Sequence, residues 1–434
     1  MELTPMNNMN ELTRAELLSQ CEQLHLTKYK SKTKPELIEL LSSHISTEHN
    51  DGANENANAN ANANENKSKD AFVFQTMLTC IGNKRKLVRN ISDIVKEVAS
   101  QIGKPKLNIV DGFAGSSVVS RELSYLADHL YSNDLELYSH LMAQCYLVVP
   151  TSEQQVRIAE HIEMMNYLAS NGPFMEGIVC KLYAPKDTNN IQLGERCFYT
   201  RENALIIDTL RLYISENVEP ELAVYCLVPL LNRASIHTNT AGVFKGFYKK
   251  GELGWFGGAA ENALSRIMKP IQLDMPVWNN QEPAFQAHCF NKDINAFVTE
   301  LPDNIDIMYL DPPYNQHPYG SNYFMLNVIA KNEEPLSISD VSGIPTDWNK
   351  SDYNKHIPAV NAMRTLIANG LQKSKYLLIS YNNEGIIDSS DWNELFAPYC
   401  VKKYEIKYDT FKGCRNLKNR DNKVMEIMYL VSLP

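Results

Sequence analysis

Residues 306–310 (DIMYL) run directly into Asp311-Pro312-Pro313-Tyr314. A short apolar run ended by turn residues reads as a buried strand. Two consecutive prolines remove two backbone donors and push the residues before them out of the helical region. Neither a ladder nor a helix can continue through them. The chain must therefore leave its sheet in a rigid, extended turn. That turn carries a carboxylate, carbonyls left free as acceptors and an aromatic ring to one edge of the sheet.

Other segments supply the rest of the sheet. Residues 106–110 (KLNIV) read as a strand entering the turn DGFAGSSVVS, and 129–132 as a second strand ending at Asn133-Asp134. Residues 375–380 (KYLLIS) give another buried strand, and 401–408 with 424–431 a closing antiparallel pair. Strands alternating with helices predict an α/β fold, a doubly wound, mainly parallel sheet. One long interruption, 151–285, lacks that alternation and reads as largely helical. Residues 46–70, dominated by alternating Asn and Ala, can bury almost nothing, so ordering them would cost backbone entropy without return. They read as a disordered linker between a small N-terminal unit (1–45) and a main body formed by 71–150 and 286–434.

In that N-terminal unit, LTRAELLSQCEQL and KPELIELLSSHI read as two short helices, with Thr13 capping ahead of Glu16 and Pro35 in a first turn. A lysine-bearing loop joins them.

The 434 residues are 44% hydrophobic and 21% charged, enough for two or three domains and a large core. The longest apolar run, 222–231 (LAVYCLVPLL), is half of what a membrane helix needs. The N-terminus is polar and unlike a secretory signal. Nine cysteines without a metal-ligand or disulfide spacing read as reduced thiols. A soluble, cytoplasmic protein without a bound metal is expected. The net charge of -9 and pI near 5.7 argue weakly against nucleic acid. Local patches decide binding, however, and 402–423 carries eight basic residues against three acidic ones.

Two places carry chemistry. The turn from Asp111 follows a strand and opens a helix, where doubly wound sheets bind nucleotide-like ligands. Gly112 and Gly115 permit a tight turn and close approach, although the run is neither GxGxxG nor a phosphate loop with its lysine. Asp134, ending the next strand, is placed to grip a ribose or, equally, to cap a helix. At 311–314, the Asp311 carboxylate and the Pro312 carbonyl suit the two N–H groups of an exocyclic aromatic amine, with Tyr314 stacking on its ring. Tyr319, Tyr323 and Phe324 read equally as pocket lining or core.

DPPY at 311–314, DGFAG at 111–115, IGNKRKL at 81–87, NKD at 291–293 and SYNNEG at 380–385 together resemble S-adenosylmethionine-dependent adenine N(6) DNA methyltransferases of the alpha group, the restriction–modification type. The resemblance covers about 71–434. It implies a Rossmann-like catalytic domain, base flipping on double-stranded DNA, and a helical target-recognition insertion at 151–285. It also implies a possible partner, a cognate restriction endonuclease. Carried over by position, Lys84 closes over the methionine end of the cofactor, with Asp111, Gly112, Phe113, Ala114 and Gly115 around that moiety. Asp134 matches the ribose acid, and Asp293 the acid at the cofactor's adenine, with Ile294 or Phe290 packing nearby. Asp311, Pro312, Pro313 and Tyr314 match the target-adenine site. Ser117 departs from the pattern, since many members keep glycine there. Lys245, Lys249 and Lys250, within 235–258, and Lys412 and Arg415 near the C-terminus are candidate phosphate contacts. Residues 11–45 resemble a SAP module, a DNA-associated helical unit, or equally a hairpin that packs on a partner. The alternatives to adenine methylation of DNA are N(4)-cytosine or RNA adenine methylation on the same fold, or a non-catalytic DNA-binding protein.

Overall fold

The computed structural model describes residues 67–75, 78, 82–258, 261–280, 284–409 and 423–434, with positions 13, 16–18, 21, 33, 34, 36–38 and 41 of the N-terminal region. The chain divides into two compact units, Met1–Ser68 and Lys69–Pro434. In the first, Thr13 N–H donates to Glu16 Oε2 at 2.7 Å and Glu16 N–H returns a bond to Thr13 Oγ1 at 3.4 Å, a reciprocal N-terminal cap. Thr33 N–H donates to Glu36 Oε2 in the same way, at 2.7 Å. Leu17 and Cys21, and Leu37 and Leu41, are each four residues apart and buried, as one face of a helix requires. The loop residues Lys28, Lys30 and Lys32 and most of the Asn/Ala tract lie outside the described residues.

The second unit is built on a seven-stranded sheet. Its strands are β1 (Leu107–Asp111), β2 (Ala127–Asn133), β5 (Gln286–Phe290), β6 (Ile305–Leu310), β7 (Ser374–Asn382), β8 (Cys400–Asp409) and β9 (Lys423–Ser432). A separate two-stranded ribbon is formed by β3 (Lys249–Lys250) and β4 (Leu253–Gly254). The sheet order is β5-β2-β1-β6-β7-β9-β8. β5, β2, β1, β6 and β7 pair in parallel, whereas β9 runs antiparallel to both β7 and β8. This is the mainly parallel, Rossmann-like α/β sheet that the strand and helix alternation predicts.

All six residues of β6 are buried, because a central parallel strand is covered on both faces. Alternate residues feed two separate cores: Ile307 and Tyr309 join one, Met308 and Leu310 the other. The sequence reading missed β5. It is an edge strand (QAHCF) with its residues only half-buried, so it carries no apolar run to betray it.

Within the insertion 151–285 lie the helices Ser152–Asn171, Ile178–Tyr183, Arg201–Asn217, Pro220–Ile236 and Leu264–Met268. A capping box of Thr151 with Gln154 starts the first, and Thr200 caps the third. Ile158, Met165, Leu210 and Leu230 of these helices share one core with Ile109, Leu130 and Ile307 of the sheet, so the helices that carry them pack on the sheet, while Cys197, Phe256 and Ile267 form a small separate cluster within the insertion. The apolar run 222–231 lies inside Pro220–Ile236. Among the described residues no helix is long and apolar enough to cross a membrane. The seven described cysteines are free.

Candidate active site

Parallel strands deliver their C-terminal residues to one edge, and a cavity of about 950 Å³, counting its open mouth, lies there. Its walls come from the segments 82–84, 112–119, 133–139, 292–294, 309–313, 319–320 and 349–354.

Asp111 ends β1 and is fully buried. Its Oδ2 accepts the Ser120 hydroxyl at 2.5 Å, while its Oδ1 has no hydrogen-bond partner among the described residues. Burial drives its pKa up to about 7, against the pull of the Ser120 bond. The next residue has to be glycine. A Cβ on Gly112 would stand 2.8 Å from both Ile294 Cδ1 and Leu310 Cδ2. Gly115 takes φ +52°, and Ser117 takes φ +60°, the left-handed conformation that glycine adopts without strain. That explains the departure at Ser117: the backbone keeps the glycine geometry, and a serine bears it. Phe113 lies edge-on to Tyr353, centroids 5.4 Å apart.

Asp134 has both carboxylate oxygens engaged by loop amides, Gly115 N–H at 2.8 Å and Glu136 N–H at 2.8 Å. Burial raises its pKa to about 6. The following helix, Leu137–Leu147, has Glu136 at its N-cap position, so Asp134 ties two turns together instead of capping that helix. Asp293 does cap a helix, Ile294–Glu300, accepting from Asn295 N–H at 2.9 Å and Ala296 N–H at 3.4 Å, while it lines the cavity. Ile294 is buried against Gly112. Two residues that the sequence reading did not single out complete this end. Asn133 bonds Gly112 O, Lys292 O and Lys292 N–H, locking the β1 turn to the β5 turn. Glu136, its pKa raised by burial to about 7, accepts Asn327 Nδ2 at 2.7 Å and Asn349 Nδ2 at 3.3 Å.

The Pro-Pro corner leaves the sheet as predicted, with no helix or strand from 311 to 314. Asp311 borders the same cavity as Asp134, Glu136 and Asp293, as does Pro313, whereas Asp111 sits one residue before the Gly112 wall and does not itself line it. Pro312 is buried. Tyr314 packs edge-on against Tyr381 at 6.2 Å, and its carbonyl accepts Ile386 N–H at 3.0 Å. A Cβ on Gly82 would meet the Tyr314 and Tyr319 hydroxyls at 2.9 and 3.1 Å, so a glycine lets the 82–84 segment lie against both rings. Tyr319 lines the cavity, whereas Tyr323 and Phe324 are core.

Lys84 stands in this corner. Its ammonium is 2.7 Å from Asp311 Oδ1 and 3.1 Å from Glu426 Oε1, with the Tyr314 ring centroid at 5.4 Å. Lys84 is 4% exposed and Glu426 not at all. Burial disfavours the ammonium, yet Asp311 and Glu426 hold its pKa well above the usual lysine value. Burial raises Asp311, the Lys84 charge opposes that, and Glu426 adds to it. Ser380 Oγ donates to Glu426 Oε1 at 2.5 Å. Nothing in the local sequence of β9 marks Glu426; an acid at an inward position of a closing strand was the available signal.

Lys245, Lys249 and Lys250 are exposed, away from the cavity walls. Lys249 lies over the Phe247 ring at 5.0 Å and Lys250 over Trp255 at 4.8 Å, on the ribbon β3–β4 and its flanks. Lys412 and Arg415 fall outside the described residues.

A family model for D12 class N6 adenine-specific DNA methyltransferases matches residues 81–389. The chain is 26% identical over 361 residues to the type II methyltransferase M.NlaIII of Neisseria lactamica, covering 81% of this chain and 98% of that protein. It is 28% identical over 324 residues to the type II methyltransferase M.CviAII of Paramecium bursaria Chlorella virus 1, covering 74% and 87%. It is also 27% identical over 368 residues to the modification methylase StsI of Streptococcus sanguinis, covering 81% and 51%. The family match includes the Asp111 and Asp311 turns and ends before Glu426.

Proposed function

Because the chain belongs to the D12 class N6 adenine-specific DNA methyltransferases, and so methylates adenine in DNA at specific sites with S-adenosylmethionine as donor, we propose that the cavity at the carboxyl edge holds the donor beside a flipped target adenine. The single observation that carries this reading is that Asp311 opens onto the cavity that Gly112, Phe113, Asp134 and Asp293 also line. The residues fit the donor: the cavity walls carry four acids (Asp134, Glu136, Asp293 and Asp311), Gly112 leaves no Cβ in the way, and one buried oxygen of the adjoining Asp111 lacks a hydrogen-bond partner among the described residues. On this reading Asp111, Gly112, Phe113, Ala114 and Gly115 hold the methionine end, Asp134 the ribose, and Asp293 with Ile294 the adenine ring of the donor. When bound, S-adenosylmethionine supplies a methyl group activated on a sulfonium.

The chain's own residues do the rest. An adenine amine is a poor nucleophile because its lone pair is delocalised into the ring. The Asp311 carboxylate and the Pro312 carbonyl accept its two N–H bonds, favouring a pyramidal nitrogen and stabilising the positive charge that develops there. Pro313 fixes the corner. Tyr314 offers the stacking face, worth about 1–3 kcal/mol per base, against an extrusion cost of a few kcal/mol. Lys84, proposed at the donor's methionine end, also lines the cavity and stands beside Asp311, where its charge favours the ionised, accepting carboxylate.

The insertion 151–285 is proposed as the target-recognition part, with Lys245, Lys249 and Lys250 as phosphate contacts, which position the duplex without reading its sequence. Residues 1–45 are proposed as an accessory helical module joined through 46–66. The expected linker ends earlier than 70, since 67–74 are helical and Lys69 and Asp70 pair with Glu122 and Arg89. A role beside a cognate restriction endonuclease, in the cytoplasm, completes the proposal. Transfer of a tritiated methyl group to DNA and RNA, followed by nucleoside analysis, tests it. N6-methyladenine from DNA is expected; label in N4-methylcytosine, or in RNA alone, would overturn the reading.

A further inference from the structure

The antiparallel direction of β9 has a chemical consequence. Parallel strands bring their last residues to the cavity edge, but β9 brings its first ones. Glu426, which pairs with Asn382 across β7–β9, therefore arrives beside Ser380 and behind the corner that follows β6. There the buried Lys84 ammonium meets two carboxylates, Asp311 at 2.7 Å and Glu426 at 3.1 Å. A buried ammonium facing Asp311 alone would cancel its charge and tie up the oxygen that an amine needs. We infer that Glu426 is a positioning residue for methyl transfer: it takes up the charge of Lys84 within the protein, so that Asp311 keeps a net negative charge to offer the target amine. This rests on the reading of Asp311 as the amine acceptor.

The geometry supports a division of labour between the two acids. Glu426 is wholly buried, and its Oε1 also accepts the Ser380 hydroxyl, so it is fixed on the protein side. The Asp311 side chain is 15% exposed and borders the cavity. Two carboxylates against one ammonium leave one negative charge in excess. That excess lies where positive charge builds on the amine, in surroundings that screen it poorly. The titratable and charged groups facing Asp311 are Lys84, Glu426, Asp111 and Tyr309, with the Tyr314 ring beside Lys84.

The test uses the full chain, single-turnover methylation of a DNA duplex across pH, and donor binding by calorimetry. Glu426→Gln should keep donor affinity within about twofold and lower the single-turnover rate on the order of tenfold or more. Its acid limb should move to lower pH, because the charge that pushes Asp311 upward is gone. Glu426→Asp should recover part of the rate and of the limb position. An unchanged rate and limb would overturn the inference. So would a rate loss with the limb unmoved, since a merely structural role gives that. If Glu426→Gln does not fold, Ser380→Ala, which frees the same carboxylate oxygen, should alter the rate and limb measurably; wild-type behaviour would overturn the inference. Asp311→Asn separates the two readings. Sustained turnover in that variant sinks the acceptor role itself, whatever Glu426→Gln does.

Discussion

Lys84 Nζ lies 2.7 Å from Asp311 Oδ1, joining the segment that precedes the first strand to the corner that follows β6. The contact makes the ionisation of Asp311 depend on a residue far from it in sequence. Lys84→Met removes the positive charge that opposes burial, so the Asp311 pKa rises further and the ionised fraction at a given pH falls. The acid limb of the methylation rate should move to higher pH, opposite to the shift expected for Glu426→Gln. Breaking a buried pair also destabilises, by roughly 3–5 kcal/mol in comparable cases. A pH–rate profile under single-turnover conditions, beside a denaturant titration, checks both effects.

Donor affinity should fall with acidity in two steps. Burial raises Asp111 to about 7 and Asp134 to about 6, so on acidification each takes up a proton in that order. Each uptake removes a carboxylate from a site that must hold a cation. Stability of the free protein runs the other way. Folded pKa values raised above the unfolded ones mean that the native state holds protons the unfolded chain has lost. Between the ordinary aspartate range and these values, stability therefore falls as pH rises. Calorimetric titration of the donor and thermal melts over the same pH series should show opposite trends.

Gly112→Ala places a methyl group 2.8 Å from Ile294 Cδ1 and Leu310 Cδ2, both buried. Overpacking of this kind costs about 1–3 kcal/mol. Ile294 must shift, so donor affinity should drop along with stability. Trimming the neighbour, in Gly112→Ala with Ile294→Val, should recover part of both in melts and binding titrations.

Lys249 and Lys250 are exposed and lie over aromatic rings on a two-stranded ribbon. If they meet phosphates, Lys249→Ala with Lys250→Ala should weaken DNA binding for cognate and non-cognate duplexes alike. The slope of log affinity against log salt should become less steep by about 1 for each lost contact. Donor binding, measured without DNA, should not change. Fluorescence anisotropy over a salt series reads the first effect and calorimetry the second.

The central strands and the corner at 311–314 were legible because burial on both faces writes a continuous apolar run, and two prolines mark where it must stop. The antiparallel pair β8–β9 was legible for a different reason, as a closing pair of β-rich runs, although β8 is an exposed edge strand. β5 was not: an edge strand with half-buried residues leaves no periodic trace. The site was legible where one motif supplies several of its groups, as at Asp111 and Asp311. It was hidden where a single side chain arrives from a distant strand. Glu426 is one acid in KVMEIMYLVS, and only the antiparallel direction of β9 brings it behind Asp311. Lys84 was singled out for the donor's methionine end, but its direction depends on Glu426 and on the glycine at position 82, which lets the segment lie against Tyr314. Tyr323 and Phe324 could not be told from Tyr319 in sequence, because pocket lining and core share one aromatic composition.

Replacing the carboxylate that faces the cavity and watching a single turnover addresses the main claim most closely. With Asp311→Ala saturated with donor and mixed with duplex DNA, N6-methyladenine should fail to form, while calorimetry shows donor binding close to that of the unaltered chain. Methylation of adenine by this variant at a rate near that of the unaltered chain would contradict the account.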